Sequence, residues 1–125
     1  MNLLLDTHIA LWWLADDASL SEPVRDHISN TRNLVFVSAA TVWEVSINAS
    51  IGKLVVDDSW LDALLADGIQ QLPIRWSHAE HVRQLPMIHR DPFDRLLIAQ
   101  ATDERLILVT ADETIPTYPV QCLVN

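Results

Sequence analysis

The sequence predicts an α/β fold, a three-layer α/β/α sandwich with a mainly parallel central sheet. Short apolar runs alternate with longer stretches of helical period along the whole chain. Three of those runs end at polar residues: Asp6, Ser38, and Thr110 with Asp112 just beyond. Strands of an open α/β sheet end this way where the ligand crevice lies beyond their carboxyl ends. With 125 residues, half of them hydrophobic, and only two glycines, the chain is sized for one domain over residues 1–125, with one core and no linker.

Each element has a local reason. Leu3-Leu4-Leu5 is a brief buried strand, followed at once by Asp6-Thr7-His8 and a helical segment through Leu14. Ser21-Glu22-Pro23 opens a second helix to about Arg32, with a capping serine, an acid, and proline in the first turn. Leu34 to Val37 reads as a strand, and Ser38 caps a helix from Ala39 to about Ser50 that Gly52 stops. Trp60 to Ala66 is a short helix, Ile69 to Leu72 a strand, and Ser77 to Gln84 another helix. Asp91-Pro92 starts the strongest helix, ending near Arg105, with Leu106 to Val109 as a strand and Val120 to Val124 as an edge strand. The topology rules favour neighbouring positions for the strands that end at Asp6 and Asp112.

Seventeen acidic residues against eight basic ones give a net charge of −9. That balance excludes a basic nucleic-acid grip as a whole-surface property. Any handling of nucleic acid therefore needs the acid masked locally, for which a bound divalent cation is the obvious candidate. The single cysteine, Cys122, forbids an internal disulfide and points to a reducing compartment. The longest apolar run, Ile9 to Ala15, is far short of a membrane span, and Met1 to Asp6 lacks the features of a signal peptide. A soluble, cytoplasmic protein with no membrane association is expected.

The chemistry-bearing candidates are acids. Asp6, between a strand and a helix, also suits a plain helix cap. Glu44 sits in Ala39-Ala40-Thr41-Val42-Trp43-Glu44-Val45-Ser46-Ile47, apolar on nearly every side. A helix of that kind is buried, and a carboxylate there is expensive unless paired or metal-bound. Asp91 at the N-cap, Pro92 and Asp94 imitate a capping box, while Asp94 can also face a crevice. Asp112 follows a strand, where an aspartate is also an ordinary turn residue. His78 and His81 have no third ligand nearby and are expected on the surface. Trp12 and Trp13 cannot both face one core, so one of them is expected to meet a partner chain. Clustered oxygens without thiolates suit Mg²⁺ or Mn²⁺.

Leu4-Leu5-Asp6-Thr7-His8, Trp43-Glu44-Val45-Ser46-Ile47, Gly52-Lys53-Leu54, Val109-Thr110-Ala111-Asp112, and above all the stretch from His89-Arg90-Asp91-Pro92-Phe93-Asp94-Arg95 to Ala101 together resemble the PIN-domain ribonucleases. The resemblance spans essentially the whole chain and is closest to the VapC-type toxins of bacterial toxin–antitoxin pairs. It implies an endoribonuclease dependent on Mg²⁺ (or Mn²⁺), homodimeric, acting on RNA and silenced by a cognate antitoxin protein. The family's acidic quartet falls on Asp6, Glu44, Asp94 and Asp112, as both catalytic residues and metal ligands. Asp91, Thr110 and Ser38 are candidates for supporting contacts or contacts to the scissile phosphate. Arg90, Arg95 and Lys53 are candidates for RNA contact. Asn48 stands where relatives often place a lysine, and Ala111 where an arginine is frequent. Two other readings keep a similar fold: a catalytically silent binding scaffold, and a phosphoacceptor signalling domain, which needs a lysine at the phosphate where Lys53 is the sole lysine.

Overall fold

The computed structural model describes residues 1–125. Its strands are β1 (Asn2–Leu5), β2 (Leu34–Ser38), β3 (Gln70–Leu72), β4 (Ile107–Thr110) and β5 (Cys122–Val124), all parallel, in the order β3-β2-β1-β4-β5. The helices are α1 (Thr7–Ala15), α2 (Glu22–Ser29), α3 (Ala39–Ser50), α4 (Trp60–Ala66), α5 (Trp76–His81) and α6 (Pro92–Asp103). The central strand is β1, whose Leu3, Leu4 and Leu5 are all fully buried. A parallel strand covered on both faces needs such an unbroken apolar run, since alternation would put a polar side chain into a core.

The strand pleat divides the core in two. Leu3, Leu5, Val35 and Val109 pack with Ile9 of α1 and Val24 of α2 on one face. Leu4 and Leu108 pack with Ala40 and with Leu97, Ile98 and Ala101 of α6 on the other. This is the α/β/α sandwich that the alternating pattern predicts. No helix is long and apolar enough to cross a membrane.

Most boundaries fall within a residue or two of expectation, and the departures have causes. The second helix ends at Ser29 rather than near Arg32, because Asn30 turns extended and its Oδ1 accepts from the Arg32 amide at 3.0 Å. That local bond replaces the helical one. The helix expected over Ser77–Gln84 is α5 followed by a 3-10 turn at Val82–Gln84. Gly52, at φ +75, ends the α3 segment as expected. The expectation that α3 is buried all round does not hold. Only Ala40, Thr41 and Val45 are buried, while Trp43 is 59% and Ile51 59% exposed. One side of α3 packs on the body, and its other apolar side is open.

Candidate active site

β1 and β4 are neighbours, with Leu5 opposite Val109, and the Asp6 amide donates to the Val109 carbonyl at 3.0 Å. The strand ends bearing Asp6 and Asp112 therefore meet at the carboxyl edge of the sheet, as the topology rules favour. Asp6 does cap α1, accepting from the Ile9 amide at 3.0 Å, and its carboxylate also borders a cleft of about 330 Å³. The same cleft is bordered by Glu44, Asp91, Asp94 and Asp112.

Glu44 is half-buried and held from α1: Thr7 Oγ1 donates to its Oε1 at 2.5 Å and lies 3.3 Å from Thr41 Oγ1. Asp91 caps α6 by accepting from the Phe93 and Asp94 amides at 2.9 and 3.1 Å. Only this half of the capping box forms. The Asp94 carboxylate is left free of it and turns to the cleft. Asp112 is exposed in a tight turn, its amide donating to Thr110 Oγ1 at 3.0 Å and its Oδ1 accepting from the Thr114 amide at 2.7 Å.

Gathering these acids is electrostatically costly. The Asp94 carboxyl is pushed up to about 7, first by burial and then by the negative charge of Asp91, Asp6, Asp112 and Glu44. Burial also raises the Asp6 carboxyl, against hydrogen bonds from Thr110 and from the Ile9 amide that favour its charged form. Like charges held together in a partly desolvated cleft take up protons or bind a cation. Carboxylate oxygens with no thiolate among them suit a hard divalent ion such as Mg²⁺ or Mn²⁺. The donor set therefore fits the metal that the sequence resemblance implies.

Several sequence expectations are corrected here. Arg95 is not placed to contact RNA. It is buried, donating to the Pro86 and Val82 carbonyls at 2.9 and 3.1 Å and to Tyr118 Oη at 3.2 Å. Arg95→Ala is expected to destabilise the fold by about 3 kcal/mol in a urea titration, because it removes a buried side chain and leaves three acceptors without their donor. Ser38 is fully buried as well: it caps α3 through the Ala40 amide and donates to Gln100 Oε1, so it meets no phosphate. Thr110 is buried too, and its support is indirect, through Asp6 and the Asp112 amide. Arg90 and Lys53 are exposed, and neither borders the cleft.

His78 is not a surface residue either. It is fully buried, with Nδ1 accepting from the Arg75 amide at 3.0 Å and Nε2 2.8 Å from Glu104 Oε1. Trp12 and Trp13 are both half-buried, Trp12 on the cleft and Trp13 donating to Asp67 Oδ2 at 3.0 Å. The open tryptophans are Trp43 and Trp76.

Two contributors escaped the sequence reading. Thr7, which holds Glu44, reads in sequence as one more cap. His89 has a ligand atom that, with one each from Asp94 and Asp112, forms a group within 4.8 Å of one another. Its only sequence signal is its place two residues before Asp91.

A parallel sheet with a carboxylate cleft at its carboxyl edge defines a class of acid-lined α/β domains, and comparison with known proteins narrows it. The PIN domain family matches residues 3–120, and the chain belongs to that family. It is 31% identical over 121 residues to Ribonuclease VapC22 of Mycobacterium tuberculosis, covering 94% of this chain and 92% of that protein. The fold is shared with VapBC2 from Rickettsia felis, solved bound to a DNA fragment from its promoter, at a TM-score of 0.77 and 16% identity over 99% and 98% of the two chains. It is shared also with FitAcB from Neisseria gonorrhoeae, at a TM-score of 0.61 and 19% identity over 98% and 96%. The family resemblance expected from the motifs is thus borne out.

Proposed function

We propose that this protein is a divalent-metal-dependent endoribonuclease, the toxin of a toxin–antitoxin pair, working in the cytoplasm as one nuclease domain over residues 1–125. The observation that carries the reading is the convergence of Asp6, Glu44, Asp94 and Asp112, from four separate segments, on one cleft where Asp94 is pushed up to about 7. Kinship with a protein named as a ribonuclease supports it.

Asp6, Glu44 and Asp94 would hold Mg²⁺ or Mn²⁺, with Asp112 ligating a second ion or orienting the attacking water. Bound there, the metal supplies a water of lowered pKa and stabilises charge developing on the phosphate oxygens. The chain itself contributes placement. Thr7 fixes the Glu44 carboxylate, Thr110 and the Ile9 amide fix Asp6, and Asp91 anchors the first turn of α6 beneath Asp94. Arg90 and Lys53, the exposed bases retained from the sequence reading, meet the RNA backbone outside the cleft. In-line attack by water on phosphorus, with the P–O3′ bond breaking and the 3′ oxygen taking up a proton as it leaves, gives a 5′-phosphate and a 3′-hydroxyl.

The antitoxin's place is the apolar groove of about 680 Å³ between α3, α4 and β3, lined by Val42, Trp43, Leu61 and Leu65 among others. Trp43 borders this groove while its neighbour Glu44 borders the acid cleft. An amphipathic helix seated in the groove can therefore reach the carboxylates with an arginine. The exposed apolar side chains elsewhere, such as Val55 and Trp76, accord with a homodimer.

The test is cleavage of a structured RNA by the purified protein across a Mg²⁺ and Mn²⁺ titration, with sequencing of the ends. Cleavage that EDTA abolishes, leaving 5′-phosphates, is expected. Metal-independent cleavage, or none at any metal concentration, contradicts the proposal.

A further inference from the structure

Resting on the reading of the cleft as a metal centre, we propose that His89 is a positioning residue, whose Nε2–H orients the Asp94 carboxylate without itself binding the ion. His89 Nε2 is a buried polar atom with no hydrogen-bond partner. It points at Asp94, 3.6 Å from Oδ2. That separation is beyond a hydrogen bond, so the ring stands a small movement short of one. Buried unpaired donors are rare enough to need a reason, and a carboxylate that shifts when it takes up its ligand is such a reason.

Direct ligation by His89 is the competing geometry, because a ring nitrogen lies within 4.8 Å of a carboxylate oxygen of Asp94 and of Asp112, close enough for the three to share one ion. The hydrogen bonds around Tyr118 decide between the two. Tyr118 Oη accepts from the His89 amide at 3.0 Å and from Arg95 Nη1 at 3.2 Å. Those two donors fill the acceptor capacity of a phenolic oxygen. A third N–H, on His89 Nδ1, would have nothing to bond there, and the hydroxyl proton itself has two acceptors, Nδ1 at 3.2 Å and the His89 carbonyl at 3.4 Å, so Nδ1, the nearer, is assigned as an acceptor. With Nδ1 as acceptor the ring N–H lies on Nε2, an assignment made from the surrounding donors. An Nε2–H is a donor to a carboxylate and has no lone pair for a cation.

Arg95 fixes this arrangement from behind. Its Nη1 is anchored on the Pro86 carbonyl at 2.9 Å, so the chain Arg95, Tyr118, His89, Asp94 runs from the core to the cleft. The tyrosine stands six residues beyond Asp112, and the histidine five before Asp94. The network thus ties together two of the segments that supply acids.

The experiment is titration of the full chain with Mn²⁺ alone, by calorimetry and by electron paramagnetic resonance, on wild type, His89→Ala, His89→Gln and Asp94→Asn. Loss of an outer donor to a ligating carboxylate is expected to weaken Mn²⁺ binding about 10-fold in His89→Ala. His89→Gln, which keeps an N–H donor of similar reach, is expected to restore most of that loss. No imidazole nitrogen coupling is expected in the wild-type Mn²⁺ spectrum. Wild-type affinity in His89→Ala, equal weakening in both histidine variants, or a directly coupled nitrogen overturns the proposal. Asp94→Asn separates the two levels: undiminished Mn²⁺ binding there overturns the metal-centre reading itself, and the role of His89 with it.

Discussion

Asp94→Asn and Glu44→Gln are each expected to reduce RNA cleavage by about 10³-fold or more, since on the proposed reading each removes a carboxylate that would hold the metal. Both leave the local scaffold in place. Glutamine at position 44 still offers an oxygen to Thr7 Oγ1, and asparagine at position 94 keeps the amide that Asp91 caps. The metal-free variants are therefore expected to fold, and Asp94→Asn to melt higher than wild type. It removes a carboxyl that burial and four neighbouring acids push up to about 7. The measurements are single-turnover cleavage of a labelled RNA and thermal melts in EDTA. Near-normal cleavage by both variants would remove the quartet from the chemistry, and a lower melting temperature for metal-free Asp94→Asn would remove the strain argument.

Metal-free stability is expected to fall as the pH rises through neutrality. A carboxyl raised from 3.8 to about 7 keeps its proton in the folded protein after the unfolded chain has released it. The native state thus binds the extra proton between these values. The associated stability is fully present below the unfolded value of 3.8 and is lost as the pH climbs through about 7. Its size is about 2 kcal/mol after allowance for the solvent that reaches the cleft. Asp6, also raised, acts in the same direction. On the proposed reading, saturating Mg²⁺ is expected to reverse the trend, because ligand carboxylates must be ionised to bind and only the folded chain assembles them. Urea midpoints at about pH 5 and pH 8, with EDTA and with Mg²⁺, check both signs. A midpoint in EDTA that rises with pH contradicts the assignment of Asp94 as the strained group.

The fold was legible because its cues are local. The unbroken Leu3-Leu4-Leu5 run, Ser21 and Ser38 as caps, and Asp91-Pro92 at the mouth of α6 each specify a boundary that the structure places within a residue or two. The four acids were legible for a related reason: each stands at a strand end or in a helix that the sheet order brings to one edge. Side-chain direction was not. Arg95 and Asp94 are adjacent in the first turns of α6, yet one turns into the core and the other to the cleft. Which goes where depends on Tyr118 and on the Pro86 and Val82 carbonyls, all distant in sequence. The role of His89 was hidden similarly, since its partner is a tyrosine 29 residues away. The openness of α3 is not legible in the sequence, because composition is the same for an apolar face that meets the core and for one left exposed.

The sheet order also sets when the acid cleft can assemble as the chain is made. Leu3 pairs with Val35 of β2 but also with Ile107, and Leu5 with Val109, so the central strand of the fold waits for its second neighbour until β4 has been made. Asp6 emerges from the ribosome well before its companions Asp94 and Asp112. Loop closure over such a span is slow, and no shorter nascent chain can bring these acids to one edge. The cleft can therefore close around its carboxylates only once the strand preceding Asp112 has been delivered.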